Sequence, residues 1–134
     1  MDSLGRELVL NGINHVTKSP EDRYVYPNDE QLFKEFRNWG INCIRYGINW
    51  DGLEPEPGQY NESYLQEIDR RVRWAEENGI YLILDMHQDL FGRKFGNGAP
   101  EWATLDESLP HATGEVWSDS YLISPAVQKS FDNF

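Results

Sequence analysis

Asn78-Gly79-Ile80-Tyr81-Leu82-Ile83-Leu84-Asp85-Met86-His87-Gln88-Asp89 holds a helix stop, a strand and a polar strand end in one short run. Asn-Gly is a natural helix terminator, because both residues tolerate the left-handed backbone that closes a last turn. Ile80 to Leu84 is continuously apolar rather than alternating, the pattern of a strand covered on both faces in a parallel sheet.

The same punctuation recurs upstream. Asn61 is placed to cap a helix whose buried face is expected to carry Leu65, Ile68, Val72 and Ala75, with Arg70, Arg71, Glu76 and Glu77 outside. Pro55, Pro57 and Gly58 mark a loop before it. Ile41 to Ile48 reads as a second strand, apolar except for Asn42 and Arg45. Before that, Asn28 can cap a helix with Gln31 in the capping-box position. Leu32, Phe33, Phe36 and Trp39 share one of its faces, and Gly40 ends it. Leu8 to Asn14 reads as the first strand.

Downstream of Met86 runs a long loop rich in Gly, Pro and Trp, with Phe91, Trp102 and Trp117 in it. Loops of that length are usually functional or disordered, and the aromatic content favours function. Ser124-Pro125 opens a last helix, with Val127, Phe131 and Phe134 on one face.

Strand, helix, strand, helix, strand predicts an α/β protein with a parallel sheet built from right-handed crossovers. Three such strands leave sheet edges and helix faces uncovered, and a closed barrel of this kind takes about 250 residues. The expectation is therefore the N-terminal portion, about three βα units, of a (β/α)8 TIM barrel. Residues 1–134 would form one piece of a single catalytic barrel, with no second domain.

The chain has 134 residues and a formal charge of −11, from 23 acidic against 12 basic residues. That balance excludes nucleic acid and anionic membrane surfaces as partners, both of which require clustered Lys and Arg. It is silent on neutral sugars. Cys43 is the single cysteine, so no intramolecular disulfide forms; in its apolar strand it reads as a small core residue. Met1 to Leu8 carries Asp2, Arg6 and Glu7 and has no apolar signal core. The longest apolar run is too short to span a bilayer. A cytoplasmic protein fits, as does one whose signal has been removed.

Ligands of parallel α/β sheets bind at the carboxyl ends of the strands. Asn14, with His15 and Lys18 just beyond, ends the first strand; Arg45, Asn49 and Trp50 belong to the second; Asp85, His87 and Asp89 end the third. His87 and Asp89 lie two residues apart, so on an extended backbone they point the same way. Together they offer the mixed donors and acceptors that sugar hydroxyls need; the competing reading is that they only hold the strand end. Arg45 in an apolar strand must be paired. Its partner is either a carboxylate of an active centre or a structural one. Trp50, Trp102 and Trp117 can stack on sugar rings or anchor their loops. His87, Asp89, Asp85 and His111 are metal ligands by type, but no paired-histidine spacing supports a metal site, and neither metal nor cofactor is expected.

Leu10-Asn11-Gly12-Ile13-Asn14, Asn42-Cys43-Ile44-Arg45-Tyr46-Gly47 and Trp50-Asp51-Gly52-Leu53-Glu54-Pro55-Glu56-Pro57-Gly58-Gln59-Tyr60 resemble the start of glycoside hydrolase family 5. Leu84-Asp85-Met86-His87-Gln88-Asp89 and Gly96-Asn97-Gly98-Ala99-Pro100-Glu101-Trp102 resemble its endoglycoceramidase branch. The resemblance covers nearly the whole chain. It implies a glycosidase that cleaves the bond between oligosaccharide and ceramide in glycosphingolipids. It also implies that Arg45 is an active-centre arginine, and that Lys18, His87 and Asp89 contact the sugar beside the scissile bond.

The family works with retention, which needs two carboxyl groups about 5–5.5 Å apart. The resemblance puts those two glutamates at the ends of strands four and seven. Asn61-Glu62 reads as a helix cap, so no catalytic glutamate is assigned in this chain, and the chain alone is expected to be inactive. The implied partners are a glycolipid or oligosaccharide, the remainder of the barrel or a second copy, and the membrane by peripheral contact. The implied location is secreted or membrane-associated. An endoglucanase-type member, a non-catalytic carbohydrate-binding half-barrel and a metal-dependent hydrolase on a similar barrel are the alternatives.

Overall fold

The computed structural model describes residues 4–27 and 29–134. The element order is β1 (Gly12–His15), α1 (Asp29–Asn38), β2 (Cys43–Ile48), the short α2 (Trp50–Leu53), α3 (Glu62–Glu77), β3 (Tyr81–Met86), then a long loop, α4 (Ser120–Ile123) and α5 (Pro125–Asp132). The three strands pair in parallel in the order β1-β2-β3. This is the expected α/β arrangement.

Strand alternation sorts the side chains into two faces. Ile13, Ile44 and Leu82 are in register, as are His15, Tyr46 and Leu84. This face takes the helices: Phe33 and Phe36 of α1 and Tyr64, Ile68 and Ala75 of α3 pack with Ile44 and Tyr46 into the core. Phe33, Phe36, Ile44 and Ile68 each contribute about 1.5–3 kcal/mol on burial. Asn14, Arg45 and Ile83 are in register on the opposite face, with Gly47 beside Asp85 one step further on. Among the described residues no helix covers that face, and it carries Asn14, Arg45 and Asp85.

Several elements depart from the sequence expectations. β1 begins at Gly12, not Leu8, and Val9 is 80% exposed. The Asn42 side chain takes the place of a ladder there: it accepts from Asn11 N at 2.7 Å and donates to Val9 O at 2.9 Å. The proposed Asn28 cap lies outside the described residues. Phe33 and Phe36 are buried as expected, but Trp39 lies beyond the end of α1 and is 66% exposed. β3 was expected to be covered on both faces, yet Tyr81, Ile83, Leu84 and Met86 are all exposed, because among the described residues no strand pairs with its outer edge. α5 starts as expected, with Ser124 accepting from Val127 N and Val127 fully buried, but Phe134 follows the helix and is 86% exposed.

The largest correction concerns α3. Asn61 caps it as expected, accepting from Tyr64 N at 3.2 Å. The buried face, however, is Tyr64, Ile68, Arg71 and Ala75, while Val72 is 40% exposed. The helix is rotated so that Tyr64 enters the core, and Arg71 follows it to 3% exposure. The charge is tolerated because Arg71 Nε donates to Asp29 Oδ2 at 2.6 Å and Nη2 to Tyr26 O at 3.0 Å, while Nη1 bonds Glu67. Asp29 also receives His15 Nε2 at 2.7 Å and the Tyr46 hydroxyl at 3.3 Å. His15 therefore belongs to the helix-covered face and not, as expected, to the polar strand end. There it stacks on Tyr26 with ring centroids 4.4 Å apart.

Candidate functional site

The helix-free face and the loops beyond it bring Lys18, Arg45, Asp85, His87 and Asp89 together in one chain of charge contacts. Arg45 Nη2 lies 2.6 Å from Asp85 Oδ2, an ion pair whose N–H is not aligned as a hydrogen bond. The carboxylate that pairs with Arg45 comes from the neighbouring strand β3, as the structural reading of Arg45 has it, and the same carboxylate also lies beside His87. His87 stands between two carboxylates, with Nδ1 3.4 Å from Asp85 Oδ2 and Nε2 3.6 Å from Asp89 Oδ2. Its backbone N–H donates to Ile48 O at 2.8 Å, which continues the β2–β3 ladder and fixes where the imidazole leaves the sheet. His87 Nε2 is buried and makes no hydrogen bond, with Asp89 Oδ2 the nearby acceptor at 3.6 Å.

Asp89 is the best-held group of the cluster. Lys18 and the Asn97 side-chain amide both donate to Oδ2, the latter at 2.7 Å. Burial alone would raise this carboxyl, but the bonds from Lys18 and Asn97 and the charges of Lys18 and His87 outweigh it and hold Asp89 below the ordinary aspartate range.

Asn97 is the contributor that sequence reasoning missed. Its signal was in view: it stands between two glycines. A Cβ on Gly96 would collide with the Asp89 carbonyl, and one on Gly98 would stand 2.5 Å from Gln88 Cβ. Gly98 also has φ +121°, a conformation that side chains other than hydrogen rarely adopt. The Gly-Asn-Gly turn can therefore press against Gln88-Asp89 and deliver the amide. Gln88 itself is structural: its Oε1 accepts from Phe91 N at 2.7 Å and from the Tyr121 hydroxyl at 3.3 Å. Asp85 was noted only as a strand end and a ligand type; here it links Arg45 to His87.

Trp50 and Trp102 are brought to each other, edge to face at 5.5 Å, and Trp50 also meets Phe134 at 5.8 Å. Both indole N–H groups are satisfied by Glu54: Trp50 Nε1 donates to Oε2 at 2.8 Å and Trp102 Nε1 to the backbone O at 3.2 Å. In this arrangement both anchor their loops. Trp117 is exposed and contacts Tyr121. Cys43 is buried. His111 stacks on Phe95 at 4.8 Å, with Nδ1 2.9 Å from Ser124 Oγ. Among the described residues no three His, Cys, Asp or Glu are grouped to hold a metal ion.

A model of the family described as Cellulase (glycosyl hydrolase family 5) matches residues 1–121. An endoglycoceramidase of Cyanea nozakii is 42% identical across 100% of this chain, which covers 32% of that protein. Endoglycoceramidase I of Rhodococcus hoagii is 31% identical over 98% of the chain, covering 27% of its own length. Among solved structures, endo-glycoceramidase II from Rhodococcus sp. in its five-membered iminocyclitol complex superimposes with a TM-score of 0.85 at 39% identity, over 99% of this chain and 32% of that one. Its ganglioside GM3 complex gives 0.83 at 34% identity, over 98% and 32%. The chain thus spans about a third of the length of these relatives.

Proposed function

The chain belongs to glycosyl hydrolase family 5, and from that premise we propose that its protein is a retaining glycosidase that cleaves the oligosaccharide–ceramide bond of glycosphingolipids. The three-stranded α/β unit corresponds to the N-terminal part of the (β/α)8 barrel of the endoglycoceramidases it superimposes on. Residues 1–134 are read as one piece of a single catalytic domain.

The observation that carries the proposal is the convergence of Lys18, His87, Asp89 and Asn97 at the carboxyl ends of β1 and β3. Asp89 supplies a fixed acceptor, Lys18 a donor and His87 Nε2 an unpartnered polar atom. This is the mixed set that a sugar ring's hydroxyls require. Arg45 holds Asp85 beside them. In this role the cluster binds and orients the sugar next to the scissile bond. The resemblance to glycoside hydrolase family 5 assigns the two carboxyl groups that break the bond to later strands, and neither Asp85 nor Asp89 is given that role. Trp50 and Trp102 stand at the rim, where Glu54 holds their N–H groups and leaves partly exposed ring faces for a sugar. No helix among the described residues is long and apolar enough to cross a membrane; access to a glycolipid is assigned to peripheral contact by a secreted or membrane-associated protein.

The test is release of free oligosaccharide from a glycosphingolipid by the full-length protein, followed by mass spectrometry. His87→Ala and Asp89→Ala should each lower kcat/KM at least a hundredfold. Intact ceramide glycoside after prolonged incubation would sink the reading. The match to a cellulase family description favours one alternative, an endoglucanase. Cello-oligosaccharide cleavage faster than glycolipid cleavage would select it.

A further inference from the structure

A cleft of about 410 Å³ opens beside the N-terminal half of α3, walled by the loop after β1, by α2 and by the loop after β3. Its volume is within the range of small-ligand sites. Three arginines from three separate elements line it: Arg23, Arg70 and Arg93. In a chain with 23 acidic and only 12 basic residues, that is a local reversal of sign. Only two carboxylates, Asp51 and Glu67, line the same cleft, and Glu67 is also claimed by Arg71.

We propose that this cleft binds the acidic group, a carboxylate or sulfate ester, of a charged glycan. Arg23 is exposed and makes no ion pair among the described residues, so its guanidinium is open to an incoming partner. Arg70 pairs with Glu67 at 2.8 Å and Arg93 with Asp51 at 3.3 Å, but both arginine side chains are half exposed. Such surface pairs are held weakly and can exchange a carboxylate partner for an incoming one. A guanidinium fork binds carboxylate and sulfate oxygens in two-point fashion.

The frame is rigid where it must be. Tyr24 is buried and its hydroxyl bonds Asp51, which anchors the neighbouring Arg23 at the mouth. Asp51 N donates to Gly98 O at 2.8 Å, which ties the α2 segment to the loop carrying Arg93. The loop after β1 supplies both Lys18 and Arg23, and the loop after β3 supplies both Asp89 and Arg93. Cleft and sugar cluster therefore share one end of the sheet. The selection of acidic over neutral glycolipids rests on the function proposed above.

The experiment is calorimetric titration of the full-length protein with lactose, 3′-sialyllactose, lactose 3′-sulfate and inorganic sulfate. The charged sugars should bind roughly tenfold more tightly than lactose, about 1.4 kcal/mol, and the gain should shrink as salt rises. Arg23→Ala and Arg70→Ala should each remove most of the gain and leave lactose affinity unchanged. A preference for sialyllactose alone or for the sulfated sugar alone would each support the site and name its ligand. Inorganic sulfate that binds in an Arg23-dependent way, while lactose does not bind at all, would support the cleft and sink the glycolipid reading. Charged sugars that bind no tighter than lactose, or a gain that survives both substitutions in folded protein, would overturn the proposal.

Discussion

Asn97 is fastened to Asp89 at three points: the two backbones exchange hydrogen bonds of 2.9 and 3.0 Å, and the Asn97 amide donates to Asp89 Oδ2 at 2.7 Å. The aspartate of the sugar cluster is thus held from outside its own strand. Asn97→Ala keeps the backbone pair and deletes the third bond. Because a bond to a charged group contributes about 1.5–3 kcal/mol, sugar affinity should fall roughly tenfold or more, with a smaller loss of melting temperature. Calorimetry with lactose checks it. Unchanged affinity would show that Lys18 alone orients the carboxylate.

The lowered Asp89 value has a sign that can be tested. A carboxyl whose folded-state pKa lies below its unfolded value contributes stability above the unfolded pKa, near 3.9, and loses it as pH falls through the folded one. Stability carried by the Lys18–Asp89–Asn97 contacts should therefore be intact at neutral pH and drop on acidification below about pH 4. In Asp89→Asn that acid-side loss should be shallower. Thermal melts of the two proteins from pH 7 to pH 3 measure it; parallel curves would contradict the assignment.

Gly52 and Gly58 lie in the same family-like stretch and should respond differently to alanine. A Cβ on Gly52 would stand 2.5 Å from the Tyr24 ring, inside packed structure, whereas one on Gly58 meets nothing within 4 Å. Overpacking costs about 1–3 kcal/mol, and it would also displace the Tyr24–Asp51 bond at the cleft wall. Gly58→Ala carries only the left-handed backbone cost, about 1–2 kcal/mol, and disturbs no side chain. The discriminating measurement is near-ultraviolet circular dichroism of the tyrosines, which should change in Gly52→Ala and not in Gly58→Ala.

Much of the architecture was legible because each strand and helix carries its own period and its own stop. Ile80 to Leu84, the Asn61 cap and Ser124-Pro125 were read from local chemistry, and local chemistry decided them. His87 and Asp89 were legible because their spacing and strand-end place are both sequence properties. Asn97 was not, since its role depends on a turn folding back across eight residues onto Asp89. His15 was misplaced for a related reason. One residue of strand length decides its face, and the strand end moved from Asn14 to His15. Trp50 and Trp102 were legible by type as loop aromatics; only the third dimension puts Glu54 on both their N–H groups.

The same limit on local reading yields the sharpest stability test, on the face of α3. Apolarity ranks Val72 as core and Arg71 as surface, but the structure reverses them, because the helix turns to bury Tyr64 and Asp29 waits to neutralise the guanidinium. Among the described residues, Arg71→Ala would leave Asp29, itself fully buried, with His15 and Tyr46 as its side-chain partners. Removing one partner of a buried ion pair costs about 3–5 kcal/mol, because the other charge stays buried and uncompensated. Val72→Ala removes two methyl groups from a half-exposed site and should cost well under about 1.5 kcal/mol. Urea unfolding of the full-length protein separates the two. Asp29→Asn made on the Arg71→Ala background should then cost far less than on the wild type, since the charge it removes no longer has its main partner. Additive losses in that cycle would mean that Arg71 stabilises through its bonds to Glu67 and Tyr26 O, its alkyl packing and its cation–π contact with Trp74, centred 5.2 Å away, rather than through Asp29.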